Sequence, residues 1–381
     1  MATGLPVPPA AMRDGLVTLF LCGDVMLGRG IDQALPHPGD PRLREPAMRD
    51  ARGYVALAEA ANGPIPRPVP FAWPWGEALP LLEETAPDVR VMNLETGVTQ
   101  GGEPEPGKAV HYRMHPANLP SLLAARPDVC VLANNHVLDY GREGLAETLG
   151  ALAAAGLAGA GAGQELAGAQ RPVPIPVAGD GRVVVVAFGT ASSGIPPGWA
   201  ATPARAGVDR LPELAVARAA EVAERVRQAT RPGDLVVASV HWGSNWGYQV
   251  DREQIRFAHG LIDGGVDLVH GHSSHHPRPL EVYRGKLILY GCGDFINDYE
   301  GITSHLSYRH DLRLAYFASL REGTGELADL WMAPLRARRL RLERAARDDT
   351  AWLREVLDRE SRRFGTRVEL RPDGTLAPRW T

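Results

Sequence analysis

The sequence predicts an α/β fold in which a core of alternating strands and helices is followed by a strand-rich C-terminal segment. Apolar runs of strand length alternate with helical segments up to about residue 270, and strand-like runs then follow one another directly from Leu312. Several of the earlier runs also end in a His, Asp, Glu or Asn side chain. Open α/β sheets place their sites at the carboxyl ends of strands in this way. The pattern therefore predicts both the fold class and the position of a site.

The composition is that of an ordinary soluble globular protein. The 381 residues include 44% hydrophobic and 23% charged residues, with a net charge of -4. This charge gives no reason to expect nucleic acid or an anionic membrane surface as a partner. The three cysteines, Cys22, Cys130 and Cys292, are too few and too widely spaced for a disulfide framework. They favour small core roles in a reducing compartment.

Residues 1–16 are predicted to form a loose N-terminal tail rich in Pro and Ala. The tail lacks the basic start and continuous apolar core of a signal peptide, and no apolar stretch is long enough to span a membrane. Residues 19–22 faintly resemble a lipoprotein cleavage site, but the apolar run before them is too short and they are needed as a strand. We therefore expect a cytoplasmic protein without a membrane anchor.

The main domain is predicted at residues 17–311, with strands and helices in alternation. Strands are expected at 17–22, 88–92, 128–132, 182–188, 234–240 and 286–290. Helices are expected at 54–61, 77–84, 117–125, 141–155, 211–230 and 251–264. Residues 35–75 form a Pro- and Gly-rich insertion, interpreted either as a lid or substrate wall or as a surface segment whose aromatic side chains pack on the body.

Residues 312–381 are predicted to form a β-rich closing layer with one helix. Strands are expected at 313–320, 327–332 and 336–342, followed by a helix at 350–364 and a hairpin that turns at Pro372-Asp373-Gly374.

The strand ends carry a mixed set of metal-binding side chains. The predicted ligands are Asp24, Glu95, Asn135, His241 and His272. Carboxylate, amide and imidazole donors together suit Mn, Fe or Zn, and the oxygen donors keep Ca open. Further polar groups at the same strand ends are candidates for acid/base catalysis, namely His136, Asp139, His270, His275 and Asp294.

Several motifs resemble the CapA-like family of the poly-γ-glutamate capsule protein, within the calcineurin-like metallophosphoesterase superfamily. They are GDVMLGR, NLE, LANNHVLDYGREGL, HWG and the block from GHSSHHPRP to YGCGDFIND. The resemblance covers roughly residues 17–300. It implies a four-layer α/β/β/α sandwich with two mixed sheets, and a metal-dependent enzyme.

The superfamily's metal motifs are only partly present. The position of the histidine in the first motif, Asp-x-His, is taken by Met26, and Asn93-x-Glu95 stands where the second motif has Gly-Asp-x-x-Asp. In the third motif, Asn135 resembles the metal ligand and His136 the catalytic acid. The final Gly-His-x-His motif is one residue longer here. These departures leave open whether one or two ions bind.

Two kinds of His/Asp pair are proposed around the metal. One is His136 with Asp139, and the other is His270 or His275 with Asp294 or Asp298. Histidines on opposite faces of a Cα–H could remove and return a proton, which is epimerisation. The predicted substrate-binding residues are Arg29, Trp73, Trp75 and Trp242, for a peptide or small anionic substrate.

Four functions are compatible with these residues. The preferred hypothesis is a metal-dependent peptide epimerase similar to those of lasso-peptide biosynthesis, which belong to the CapA-like proteins. The alternatives are a phosphoester hydrolase, a protein of poly-γ-glutamate capsule biosynthesis, and a metal-stabilised binding protein without catalysis.

Overall fold

The computed structural model describes residues 15–380, which fold into two β-sheets that stack on each other and carry helices on both outer faces. Residues 1–14, which make up most of the predicted N-terminal tail, lie outside the described part of the chain.

The strands are numbered in chain order. They are β1 (Leu16–Val25), β2 (Val89–Leu94), β3 (Gly97–Val98), β4 (Arg113–Met114), β5 (Val129–Val131), β6 (Ala158–Ala160), β7 (Ala162–Gly163), β8 (Val173–Pro176), β9 (Arg182–Thr190), β10 (Gly207–Val208), β11 (Arg210–Leu211), β12 (Leu235–His241), β13 (Leu268–His272), β14 (Leu280–Tyr283), β15 (Lys286–Leu289), β16 (Asp294–Ile296), β17 (Leu312–Arg321), β18 (Leu327–Ala337), β19 (Leu342–Arg344), β20 (Thr366–Leu370) and β21 (Leu376–Trp380).

The helices are numbered in the same way. They are α1 (Arg29–Ala34), α2 (Arg52–Asn62), α3 (Ala78–Thr85), α4 (Leu119–Leu123), α5 (Gly141–Ala154), α6 (Leu166–Ala169), α7 (Val216–Ala229), α8 (Arg252–Asp263) and α9 (Arg347–Ser361). No helix within residues 15–380 combines the length and the apolar character needed to cross a membrane.

The two large sheets are both mixed. The first has ten strands in the order β20-β21-β18-β17-β1-β2-β5-β6, with β16 on β1 and β19 on β18. The second has seven strands in the order β11-β9-β12-β13-β15-β14, with β8 on β9. Within each sheet, the strands that lead toward the site run parallel, β1 with β2 and β16 in the first sheet and β12 with β13 in the second.

Three hydrophobic layers separate the four structural layers. Apolar side chains of both sheets, such as Leu19 of β1 and Val237 of β12, pack against each other between the sheets. The outer face of the first sheet, including Phe20, packs on the helices before α6. The outer face of the second sheet packs on α7 and α8, for example through Phe257. The predicted four-layer α/β/β/α sandwich with two mixed sheets is thus confirmed.

The C-terminal segment contributes strands to the first sheet and one helix. β17 pairs antiparallel with β1 from Leu16↔Arg321 to Leu21↔Tyr316, so the segment extends the first sheet. β17 and β18 are buried strands whose apolar residues join the cores on both faces of that sheet. Helix α9 places Leu353 and Leu357 between the sheets and covers the end of their shared core.

Two predicted boundaries differ. The strands expected at 327–332 and 336–342 form one strand, β18, with Pro334 inside it, and a short β19 after a turn. The helix expected at 211–230 begins only at Val216, because Leu211 is already paired in β11.

The insertion at 35–75 packs onto the body of the protein. Ile65, Val69 and Trp75 belong to the core between the first sheet and its helices. Trp75 is fully buried, and its Nε1 donates a hydrogen bond of 2.7 Å to the carbonyl oxygen of Ser121. The segment is therefore part of the hydrophobic core in this structure.

Candidate metal centre

The centre lies where the strand ends of both sheets meet. Asp24 of β1 is the register partner of Asp294 of β16 and of Asn93 of β2. The close approach depends on Gly23, since a Cβ there would overlap the carbonyl oxygen of Gly293. That oxygen accepts a 3.0 Å hydrogen bond from the backbone N–H of Asp24. A glycine at position 23 thus lets two buried carboxylates stand side by side.

The second sheet contributes two imidazoles to the same place. His241 and His272 end the parallel strands β12 and β13 and are register partners. Their Nδ1 atoms are 2.7 Å apart, and Nδ1 of His272 lies 4.0 Å from Asp24 Oδ1. Nε2 of His241 lies 3.0 Å from Asn135 Oδ1 and 3.7 Å from Glu95 Oε1. All five predicted metal ligands therefore converge on one centre.

Two groups of potential metal ligands share Asp24. One consists of Asp24, His241 and His272, and the other of Asp24, His275 and Asp294. The ligand atoms of each group lie within 4.8 Å of one another. A carboxylate common to two ligand groups is suited to bridging two neighbouring ions.

The electrostatics of the centre favour a cation. Burial, followed by the nearby Asp294, raises the pKa of Asp24 to about 7. Burial and Asp24 likewise raise the pKa of Glu95 well above its usual range. Burial would also raise the pKa of Asp294, but the neighbouring His275 holds the pKa of this carboxyl below its usual value. A divalent ion would neutralise these buried carboxylates, so the side chains present fit a metal.

His270 is not an acid/base partner of Asp294 or Asp298 as proposed. Its Nε2 faces the carbonyl oxygen of Cys22 at 2.8 Å and must carry a proton, and its Nδ1 lies 3.0 Å from Ser239 Oγ. Burial lowers the pKa of His270 to about 4, so the ring is neutral and Nδ1 accepts the serine hydroxyl hydrogen. The role of His270 is therefore to orient Ser239.

The orientation of Ser239 in turn determines the tautomer of the predicted metal ligand His272. Ser239 Oγ lies 2.9 Å from His272 Nε2, and with its own hydrogen given to His270 it accepts the Nε2–H. Nδ1 of His272 is then left unprotonated and faces His241 and Asp24. Such outer hydrogen bonds fix the tautomer of metal-binding histidines.

The first acid/base pair is present. His136 Nδ1 lies 2.6 Å from Asp139 Oδ2, which also accepts a 2.6 Å hydrogen bond from the N–H of Tyr112. Lys108 donates to Asp139 and to the carbonyl oxygen of Asn135. Burial lowers the pKa of His136 to about 4, against the opposing effect of Asp139. Nε2 of His136 faces Glu95 Oε1 at 3.8 Å, on the side of the metal centre.

The second pair is His275 with Asp294, whose Nδ1 and Oδ1 are 2.9 Å apart. Although burial opposes it, Asp294 raises the pKa of His275 above its usual value. Asn297 donates a 2.6 Å hydrogen bond to the other oxygen of Asp294, and its own Oδ1 accepts one of 2.9 Å from the buried Arg313. This chain of contacts holds the pair in place.

The structure places the predicted substrate-binding tryptophans away from the centre. Trp242 is buried on the outer face of the second sheet, where Nε1 donates to the carbonyl oxygen of Tyr290. Trp73 lies at the C-terminal segment, with Nε1 on the carbonyl oxygen of Arg339. Since Trp75 is also buried in the core, none of the three rings borders the candidate ligands. The reason is that aromatic side chains of an apolar strand or a packed insertion are buried in the hydrophobic core.

Arg29 is likewise held by the protein itself. It is 4% exposed and forms ion pairs with Asp298 and, at 3.0 Å, with Glu45. Its guanidinium also lies over the ring of Tyr54. Both partners are internal carboxylates, so Arg29 is not free to bind an anionic substrate group as predicted. Asp298, proposed as a histidine partner, is occupied by Arg29.

One residue near the centre, Lys108, was missed from the sequence. Lys108 is one of only two lysines in a chain rich in arginine, a signal that could have been used. Trp246 lies 5.2 Å from the ring of His275 and stacks on His305 at 4.2 Å. The sequence places Trp246 shortly after the predicted ligand His241 and predicts that it walls the pocket, and the fold adds its contact with His275.

Comparison with known proteins agrees with the resemblance. The family model described as "Bacterial capsule synthesis protein PGA_cap" matches residues 18–299. A "Probable polyglutamine synthesis accessory protein" of Mycobacterium tuberculosis is 55% identical over 362 residues, which cover 95% of each chain. The "PGA biosynthesis protein CapA" of Bacillus subtilis is 29% identical over 242 residues, covering 63% of this chain and 60% of that protein. The "Capsule biosynthesis protein CapA" of Bacillus anthracis is 25% identical over 298 residues, covering 77% and 62%. The chain therefore belongs to the PGA_cap family of bacterial capsule synthesis proteins.

Proposed function

We propose that the protein is a metal-dependent hydrolytic enzyme that acts in the synthesis of a polymer of glutamate or glutamine residues. The observation that carries the proposal is Asp24, which is shared by two adjacent groups of potential metal ligands. Bound there, divalent ions would neutralise negative charge on the substrate and lower the pKa of water. The names of the relatives support the biosynthetic setting.

The chain's own residues supply the remaining chemistry. Nε2 of His136 faces the centre and, with a lowered pKa, is free to accept a proton from water or substrate. Asp139 keeps the ring oriented through Nδ1, and His136 and then Lys108 hold the pKa of Asp139 below its usual value against the effect of burial. On the other side, His275 and Asp294 lie 2.9 Å apart and, together with Asp24, would hold the second ion.

Metal content and turnover test the chemistry. Protein purified without chelator is expected to hold about two ions per chain by elemental analysis, and Asp24→Ala fewer than one. The substrates are an aryl phosphate and a γ-glutamyl anilide with added Mn. His136→Ala should keep the metal and lose roughly 100-fold or more in turnover. A full metal complement without turnover of either substrate would contradict hydrolysis.

The biosynthetic setting has its own test. Deletion of the gene in its host should remove glutamate or glutamine polymer from the cell envelope fraction, and the wild-type gene should restore it. The Asp24→Ala gene should fail to do so. Restoration by Asp24→Ala would show that the metal centre is not needed for polymer synthesis.

Epimerisation of a peptide residue is the second candidate. The observation that favours it is the presence of two His/Asp pairs whose histidine pKa values move in opposite directions, downward at His136 and upward at His275. Such a difference is what an acid and a base acting on opposite faces of one Cα–H require. Incorporation of deuterium from D₂O at an α-carbon of an oligoglutamate or precursor peptide would support it. Absence of exchange with intact hydrolytic turnover would exclude it.

A further inference from the structure

A polar cleft next to the metal centre has no part in the chemistry described above. A cavity of about 390 Å³ is lined by, among others, His111, Arg113 and Tyr140. It continues into a second cavity of about 390 Å³ that shares Asp40, Arg113 and Tyr140 with it. Each cavity is within the range of about 300–1,000 Å³ that small ligands occupy. We name the two cavities together the arginine cleft, after its residues Arg42, Arg44, Arg49 and Arg113.

We propose that the arginine cleft binds a carboxylate-bearing oligopeptide and holds the units of an acidic substrate chain that lie beside the unit at the metal centre. The proposal rests on the proposed function for the identity of the chain as substrate. The cleft itself is argued from its own geometry and charge.

Arg113 is the anchor of the cleft. Its guanidinium lies over the ring of Tyr140 at 4.4 Å and 3.6 Å from Asp40 Oδ2, and its side chain is only 18% exposed. Among residues 15–380, none accepts a hydrogen bond from this guanidinium. A stacked, half-buried arginine with free N–H groups is arranged to bind a carboxylate through two parallel hydrogen bonds.

The rim of the cleft carries two further arginines that are at most weakly paired with carboxylates of the described residues. Arg44 is paired with Glu103 at 3.4 Å, but both side chains are mostly exposed, and such pairs contribute little. Arg49 has no ion-pair partner within the described part of the chain. An acidic chain can therefore replace Glu103 and engage both arginines, although the whole protein has a net charge of -4.

A peptide suits the cleft better than a simple anion. Nε2 of His111 faces the carbonyl oxygen of Glu105 at 2.9 Å and carries the proton, so Nδ1 is an acceptor. No partner for this buried Nδ1 exists among the described residues. The N–H of a peptide bond supplies the matching donor, whereas phosphate offers mainly acceptors.

The cleft adjoins the catalytic pair through one residue. His111 and Arg113 line the cavity, whereas Tyr112 between them turns the other way. The ring of Tyr112 lies edge-on to His136 at 4.7 Å, and its backbone N–H donates a hydrogen bond to Asp139. The cleft and the His136–Asp139 pair thus lie on opposite sides of one short stretch of chain.

Binding of a labelled hexamer of L-glutamate to the full-length protein, freed of metal to prevent turnover, tests the proposal by fluorescence anisotropy. We expect Arg113→Gln to weaken binding at least about tenfold, as for the loss of charged hydrogen bonds. Arg113→Lys should be intermediate. Arg44→Gln with Arg49→Gln, both at exposed positions, should weaken binding several-fold and reduce its salt dependence.

The controls separate this proposal from the hydrolytic one. Arg227→Gln, the same change at an exposed position of α7, should bind like the wild type. Asp24→Asn should also bind the hexamer, because the cleft does not need the metal. Binding of the hexamer by the metal-loaded wild type without turnover would leave the cleft intact and count only against hydrolysis. Equal affinity for a glutamine hexamer, or wild-type affinity of both the Arg113→Gln and the double variant, would overturn the proposal. Stronger competition by inorganic phosphate than by unlabelled hexamer would overturn it in favour of a phosphate site.

Discussion

Replacing Asp24 by Asn should stabilise the metal-free protein at alkaline pH and destabilise its metal complex. In the folded protein, burial and the neighbouring Asp294 raise the pKa of Asp24 from 3.8 to about 7. A carboxyl group whose pKa is higher in the folded than in the unfolded protein lowers the stability as the pH rises from the unfolded to the folded pKa, here from about 4 to about 7. Above the folded pKa this loss of stability stays constant. A difference of about 3 in pKa corresponds to roughly 4 kcal/mol.

The amide does not recover all of this free energy. Asp24 accepts hydrogen bonds of 2.7 Å from Asn93 Nδ2 and of 3.3 Å from the N–H of Ser273. Asn accepts only one of them well, because its amide nitrogen then faces a donor, at a cost of about 1–3 kcal/mol. We therefore expect Asp24→Asn to be more stable than the wild type by about 1–3 kcal/mol at pH 8 and to have lost this advantage at pH 4.

Urea unfolding in EDTA at pH 4, 6 and 8 measures the difference. In a parallel series with Mn, the wild type should be stabilised by about 2.7 kcal/mol when the ion is at 100 times its Kd, and the variant should respond weakly. A variant that is less stable than the wild type at pH 8 in EDTA would refute the reasoning. It would mean that the hydrogen bonds of Asp24 outweigh the repulsion between the carboxylates.

Three further predictions concern positions with distinct roles. Ser239→Ala removes the hydroxyl that fixes the tautomer of His272 and should lower metal affinity about 10–100-fold, as measured by calorimetry. As a control, Ser319→Ala removes the 2.9 Å contact with Thr18 at the far end of β1 and should leave metal affinity unchanged. Gly23→Ala should destabilise the protein by about 1–3 kcal/mol or more in denaturant unfolding, because the added Cβ overlaps the Gly293 carbonyl. A variant as stable as the wild type would show that β1 and β16 can separate freely. The pKa of Asp358 is held well below its usual value, first by Arg367. Its stabilisation is therefore fully present above about pH 4 and declines gradually as the pH falls toward the lowered folded pKa. Asp358→Asn should thus cost about 1–3 kcal/mol at pH 7 and less at pH 2, in denaturant unfolding.

Much of the fold and of the ligand set could be predicted, because both follow from local pattern. Apolar runs such as β12 are confined to one stretch of chain, and their alternation already places Leu235, Val237, Ser239 and His241 on one face. Polar groups that end parallel strands meet at one edge of a sheet, which is why the predicted ligands converge. The motifs then identified the family.

The roles of neighbouring histidines could not be predicted in this way. His270 and His272 stand two residues apart on β13 and share a face, yet His270 lies one layer deeper, sealed by the carbonyl oxygen of Cys22 from the other sheet. Which histidine reaches the metal therefore depends on how the two sheets stack, a contact between residues almost 250 positions apart in the sequence.

The orientation of Asp24 is likewise a tertiary property. Strict alternation along β1 would turn Asp24 to the side of Cys22, which packs on the helices. An irregularity in the β1–β2 register between Cys22 and Asp24 turns the carboxylate to the second sheet instead. By itself the sequence determined the strands, the residues at their ends and the family. Only the tertiary structure decided which of those residues touch, because the stacking of the sheets and one bulge set distances that no local period encodes.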